Sequence, residues 1–232
     1  MIYGKPYTYF LNREGGTKGL LFGCLILLLP VVGPMVFMGY QAEVTEDLER
    51  DPDILDHDPF DLKHFSRYLT RGVWPFLMSL IVQAITMVFI AVAVAAAVGV
   101  GFAAQNGFVG YASFYLFLIP ATFVATLFSL PLMLHVQLAG NLRVGAAFAF
   151  ASRFLGKLWG QCSVTIFVHM LICMPIVLLG YALCCVGIIP AVVIISMAQD
   201  HLSVQLYRIY LAEGGEPVGS AAEIAEYDDD DH

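Results

Sequence analysis

The chain has 232 residues, of which 59% are hydrophobic and 13% charged, with a mean hydropathy of +0.78. That balance excludes a water-soluble globular domain. The formal charge of -8 says little about function, because most of the acids stand in two solvated stretches, residues 43–61 and 213–231.

No Asp, Glu, Lys or Arg lies between Arg71 and Arg143, nor from Leu158 to Gln199. A crossing helix needs roughly 20 apolar residues, so each run holds two passes. The runs are unbroken rather than alternating, which selects helices over a closed barrel. The expected fold is all-α and polytopic, with about five transmembrane segments, two interfacial elbow helices and an internal repeat.

Residues 1–18 form an N-terminal segment carrying Lys5, Arg13 and Lys18. It is not expected to be a cleavable signal, since no small-residue cleavage site follows before Tyr40. The helical membrane domain spans residues 19–210. Its first apolar segment, 19–40, is interrupted by Pro30, Gly33 and Pro34, which loosen a helix near its middle. It is one kinked crossing or a re-entrant pair of half-helices, and its length favours the kinked crossing. An acidic cytoplasmic loop, 41–59, precedes a first elbow helix at 60–72. The second segment, 74–102, carries Ala93, Ala95, Ala97, Gly99 and Gly101, small residues suited to close packing against a neighbouring helix. A polar turn at Gln105, Asn106 and Gly107 leads to the third segment, 109–140, with Pro120 and Pro131. A second elbow is expected at 146–158, then segments 160–179 and 187–207, the latter with Pro190 near its start. Residues 211–232 read as an acidic, disordered tail ending in Asp228 to Asp231 and His232.

The elbows resemble one another. Ser66-Arg67-Tyr68-Leu69-Thr70-Arg71 precedes Trp74, and Ser152-Arg153-Phe154-Leu155-Gly156-Lys157 precedes Trp159. The basic residues are four apart in each copy and so share one helical face, with Phe65 and Leu69, or Phe154, Leu155 and Leu158, on another. This pattern suggests duplication and an interfacial helix whose apolar face meets acyl chains. Arg67, Arg71, Arg153 and Lys157 would then meet anionic lipid headgroups. Arg50, Lys63, Arg143 and Arg208 fall on the same side as these four, and the turns near Gln105 and Gly180 carry no Lys or Arg. That side is cytoplasmic by the positive-inside rule. Five full crossings would put Lys5, Arg13 and Lys18 on the opposite side.

Leu28-Leu29-Pro30-Val31-Val32-Gly33-Pro34, then Met38-Gly39-Tyr40-Gln41, Phe60-Asp61 and Arg71-Gly72 resemble a bacterial and archaeal membrane family, domain of unknown function 4013. Its pattern is a proline-apolar-apolar-glycine break before a glycine-tyrosine pair, then a polar loop and a second helix opened by glycine. The resemblance covers the first half to most of the chain. It implies a multi-pass protein of the bacterial inner membrane without an assigned activity. The long acidic loop and the acidic tail depart from the pattern.

His135 and His169 stand well inside apolar segments and are the candidate intramembrane polar site. Counted from the cytoplasmic helix ends they lie at about 9 and about 13 Å depth, which brings them to similar levels. A proton relay or a metal or haem pair is weighed against neutral imidazoles bonded to a neighbouring helix, and the second reading is favoured because no third ligand is evident. The run Asp51-Pro52-Asp53-Ile54-Leu55-Asp56-His57-Asp58 lacks the central glycine and terminal glutamate of a calcium loop and reads as solvated connection. Asp200 and His201 are adjacent and point about 100° apart on a helix, so they form no obvious catalytic pair. Gln41, Gln137 and Gln199 recur near the cytoplasmic ends of their segments, where interfacial capping is the simplest role. Cys24, Cys162, Cys173, Cys184 and Cys185 form no spaced framework and read as apolar filler.

No nucleotide-binding, nucleophile-elbow or zinc-protease motif is present, so no enzymatic activity, cofactor, metal or nucleic-acid partner is expected. The favoured function is a non-catalytic scaffold or accessory protein that binds anionic lipid and a membrane-protein partner or a second copy. The alternative is a small-molecule or ion transporter whose proline-broken helices surround a midplane site near His135 and His169. The apparent lack of a buried carboxylate weighs against transport.

Overall fold

Charge-free stretches without paired helix breakers become long helices, and the turns fall where side chains or glycine can cap them. The computed structural model describes residue 7 and residues 16–50, 60–183 and 187–218. Among these the regular elements are α1 (Gly16–Leu27), α2 (Val32–Arg50), α3 (Phe65–Ala104), α4 (Gly107–Ala139), α5 (Val144–Ala182) and α6 (Ile188–Ala212), with a 3-10 turn at Leu62–His64 before α3. Helices α3 to α6 are each long and apolar enough to cross a membrane, and α1 is a shorter apolar helix. Exposed Val88, Phe102, Leu116, Ile119, Leu171 and Leu178 give α3, α4 and α5 an outward surface that suits hydrocarbon rather than water.

The expected fifth crossing at residues 19–40 is replaced by a hairpin. Val31 takes a φ of 67° between α1 and α2, a left-handed conformation that a β-branched residue adopts only where the surrounding fold imposes it. A Cβ on Gly23 would lie 3.6 Å from Phe37 and 3.5 Å from Val193. A continuous helix would separate positions 23 and 37 by about 21 Å, so the chain has reversed. Gly33 permits the turn, because a Cβ there would overlap the Ile26 carbonyl oxygen. The reversal returns the start of α1 toward the end where α2 finishes. Lys18 thereby rejoins the other basic residues, and Lys5 and Arg13 lie outside the described residues.

Two further expectations change. The first ten residues of the acidic loop at 41–59 are helical, as the second half of α2, and residues 51–59, including the candidate calcium-like run, lie outside the described residues. The elbow expected at 60–72 enters α3 without a break. The elbow expected at 146–158 is marked off from the rest of α5 by a kink at Leu158, where φ is -111° and ψ 19°. The elbows' apolar residues also face protein: Phe154, Leu155 and Leu158 are buried in the main core, and Phe65 and Leu69 pack against it. Trp74 and Trp159 are exposed.

Close helix packing rests on three glycine contacts. A Cβ on Gly39 of α2 would overlap the Tyr68 carbonyl oxygen, and one on Gly72 of α3 would overlap that of Met35. Tyr40, Phe60 and Tyr68 fill the space beside this crossing, with ring centroids 5.2 to 5.7 Å apart. At the far end of the bundle, Gln105 adopts the left-handed cap of α3, and the Asn106 side chain accepts from the Phe108 N–H at 2.9 Å to start α4. Ala93 and Ala97 are buried, and a Cβ on Gly101 would lie 2.9 Å from the Gly110 Cα. The packed face therefore runs through every fourth residue, and Ala95 and Gly99 are exposed on the other side. Gly180 and Gly187 make the matching close approach between α5 and α6.

The hairpin predicts that thiols at Thr17→Cys and Ser66→Cys, both exposed positions, are labelled from the same side of a sealed vesicle. Labelling from opposite sides would restore the kinked crossing. Gly39→Ala or Gly72→Ala should lower stability in detergent by about 1–3 kcal/mol through overpacking. Gly99→Ala, with nothing within 4 Å of the added atom, should change the melting transition by no more than roughly 0.5 kcal/mol.

Candidate functional site

Helix α2 lies alongside α6 in parallel register, since Gln41 bonds Asp200 and, eight residues on in each helix, Glu49 bonds Arg208. The junction that results is polar. Gln41 Nε2 donates to Asp200 Oδ2 at 2.6 Å, and Gln137 Nε2 of α4 donates to Asp200 Oδ1 at 3.3 Å. One carboxyl group thus joins three helices. Asp200 is only 6% exposed and stands at the centre of α6. Removing a carboxyl group from water is unfavourable unless its oxygens are bonded, and two amides supply those bonds. This corrects the reading that the helices lack a buried carboxylate. Two of the three recurring glutamines identify the junction, and their partner is the residue directly after the third.

Arg208 secures the same pair of helices one step nearer the end. Its guanidinium donates to the carbonyl oxygens of Leu48 and Glu49 at 3.3 and 2.9 Å, satisfying groups that a helix C-terminus leaves open. The acidic half of α2 turns toward α3. Arg67 Nε lies 2.7 Å from Glu43 Oε1, and Arg71 pairs with Glu46. Burial pushes the Glu43 carboxyl up, and the charges of Arg67 and Arg71 oppose that rise.

The second elbow meets the start of the tail. Lys157 donates to the carbonyl oxygens of Glu213 and Gly214 at 2.9 and 2.6 Å and lies 5.6 Å from the centre of the Tyr210 ring. Arg153 pairs with Glu216 at 3.0 Å. Tyr207 exchanges hydrogen bonds with the backbone of Val218, so the tail is packed through that residue, contrary to the expectation of disorder from 211 onward. The Asp228 to His232 run, like Cys184, Cys185, Lys5 and Arg13, lies outside the described residues.

His135 and His169 are both buried but have different neighbours. His135 packs against Phe150, with centroids 5.4 Å apart. His169 stands on α5 beyond the kink at Leu158. Its Nδ1 lies 2.5 Å from the Tyr7 hydroxyl and its Nε2 3.4 Å from Cys173 Sγ. Among the described residues no three His, Cys, Asp or Glu side chains are grouped to hold a metal ion.

The arrangement defines a polytopic α-helical membrane protein with a helical hairpin packed on its bundle. The model of a family described as a protein of unknown function, DUF4013, matches residues 22–186. The chain belongs to that family. The match includes Gly39, Tyr40, Phe60 and Gly72, the residues that meet at the α2–α3 crossing. No curated protein and no solved structure matches the chain.

The Asp200 junction predicts that Gln41→Ala costs about 1–3 kcal/mol, the range for leaving one buried polar group short of a partner. In a double-mutant cycle with Asp200→Asn, melting in detergent should show a coupling of about 0.5–3 kcal/mol. Additive losses would mean that the two side chains act independently.

Proposed function

We propose that the protein is a non-catalytic membrane scaffold or accessory protein that holds anionic lipid at its basic end and offers its helix faces to a membrane-protein partner or a second copy. The observation that carries this reading is the convergence of both elbows on one end of the bundle. The antiparallel α3–α4 pair brings Gly140 beside Arg67 and Arg71, and α5 starts directly after that turn. The exposed Trp74 and Trp159 mark the level of the headgroups. Arg67 and Arg153 keep 64% and 52% of their side-chain surface exposed despite their carboxylate partners. Exposed ion pairs are worth about 0–1 kcal/mol, so a lipid phosphate competes with them. The basic end belongs in the cytoplasm by the positive-inside rule, and the proposed location is the bacterial inner membrane. The repeated elbow is read as an internal duplication that doubled the basic face.

Transport is a second reading, favoured by the Asp200 carboxyl group. The alternative therefore moves from His135 and His169 to Asp200. Depth supports the scaffold: Glu43 and Glu46, paired with the basic elbow, stand two and five residues beyond Gln41 on α2. That is about 3 and about 8 Å along the helix, which sets the Asp200 junction close to one interface rather than at a midplane site.

The test replaces Arg67, Arg71, Arg153 and Lys157 with Gln and measures retained lipid by native mass spectrometry. Each basic residue near an anionic surface is worth about 1 kcal/mol, so retention of anionic lipid should fall by about tenfold or more, with zwitterionic lipid unaffected. Asp200→Asn, His135→Ala and His169→Ala should leave that retention unchanged. Ion or substrate flux into proteoliposomes that is lost in folded Asp200→Asn would turn the reading to a transporter.

A further inference from the structure

The two elbows match in sequence but not in availability. Lys157 is held by two backbone carbonyls and a ring, all from α6 and the segment that follows it, whereas Arg153 keeps an exposed pair with Glu216. The first elbow instead borders a groove of about 680 Å³ lined by Lys63, His64, Arg67, Arg71, Trp74 and Gly140. Among the described residues no carboxylate pairs with the Lys63 ammonium, and Arg71 Nε is buried without an acceptor. Outward along α3 the groove adjoins the exposed apolar surface of Trp74 and Leu77.

We propose that this groove is a binding site for one anionic phospholipid, its phosphate seated among Lys63, Arg67 and Arg71 and its acyl chains along Trp74 and Leu77. The assignment rests on the lipid-binding reading above and narrows it to the first elbow. The chemistry follows from the groups present. Guanidinium groups bind phosphate through paired hydrogen bonds, a lysine adds a point charge, and a tryptophan favours the headgroup boundary. A free phosphate would use the cations alone, whereas the adjoining apolar surface gives a lipid a second contact. Glu43 and Glu46 occupy the guanidinium groups when the groove is empty, and the phosphate displaces them. In the second elbow Lys157, closed by the C-terminal segment, is a structural clamp.

The experiment uses the full chain in mixed micelles of phosphatidylglycerol or phosphatidylcholine, with bound lipid counted by native mass spectrometry. Lys63→Gln with Arg67→Gln, both at exposed positions, should lower phosphatidylglycerol affinity about twenty- to thirtyfold, from ~1 kcal/mol per basic residue at 1.4 kcal/mol per tenfold. Arg153→Gln with Lys157→Gln should lower it by no more than about fivefold, the share of one exposed basic residue, and Glu43→Gln should raise it. Equal losses from the two pairs would overturn the assignment to the first elbow while leaving lipid binding intact. Loss from neither pair would overturn both. A Glu43→Gln protein that binds less lipid would overturn the displacement. Competition by glycerol phosphate at the same concentration as the lipid would show a free-phosphate site and overturn the lipid assignment.

Discussion

Helices immersed in hydrocarbon gain nothing by hiding leucine from one another, because the surrounding chains are as apolar as the neighbouring helix. Association must come from close backbone approach and from polar groups that lack any other partner. This chain uses each at separate places. Gly39 against Gly72, Gly101 against Gly110 and Gly180 against Gly187 bring main chains together, and the bonds of Gln41 and Gln137 to Asp200 draw α2, α4 and α6 to one point. The hairpin depends most on this logic. Helix α1 has 12 residues, too few to span by itself, so it is retained by packing on α2 and α6.

The charged residues follow a complementary rule. Acidic segments that look solvated in the sequence supply partners to the basic elbows, Glu43 and Glu46 to the first and Glu216 to the second. Helix α2 is thereby fixed at two levels, by an amide-carboxyl contact inside the bundle and by ion pairs nearer its end. A rigid basic end suits a protein that holds a headgroup or a partner.

The membrane class, the four long helices and the turn at Gln105 and Asn106 were legible in the sequence because charge exclusion and capping are local properties. The break at Pro30 to Pro34 was equally visible, but whether the chain bends or reverses there is set by what Gly23 and Gly33 touch, and Val193 lies far along the chain. Of the candidate site, Arg67, Arg71, Arg153 and Lys157 were recognised by spacing, and their partners were not. His135 and His169 were recognised as buried polar groups, but their separate neighbours, Phe150 for one and Tyr7 with Cys173 for the other, were not legible.

The sequence by itself determined that the chain is helical and membrane-embedded, where its crossings run and which end is basic, since each follows from residue-by-residue cost in hydrocarbon. Only the tertiary structure decided that the first segment is a hairpin, that Asp200 is shared by two glutamines from other helices, and that Lys157 is held by the segment after α6. Those outcomes depend on side chains more than fifty residues apart meeting in space, and no local pattern encodes which partner each will find.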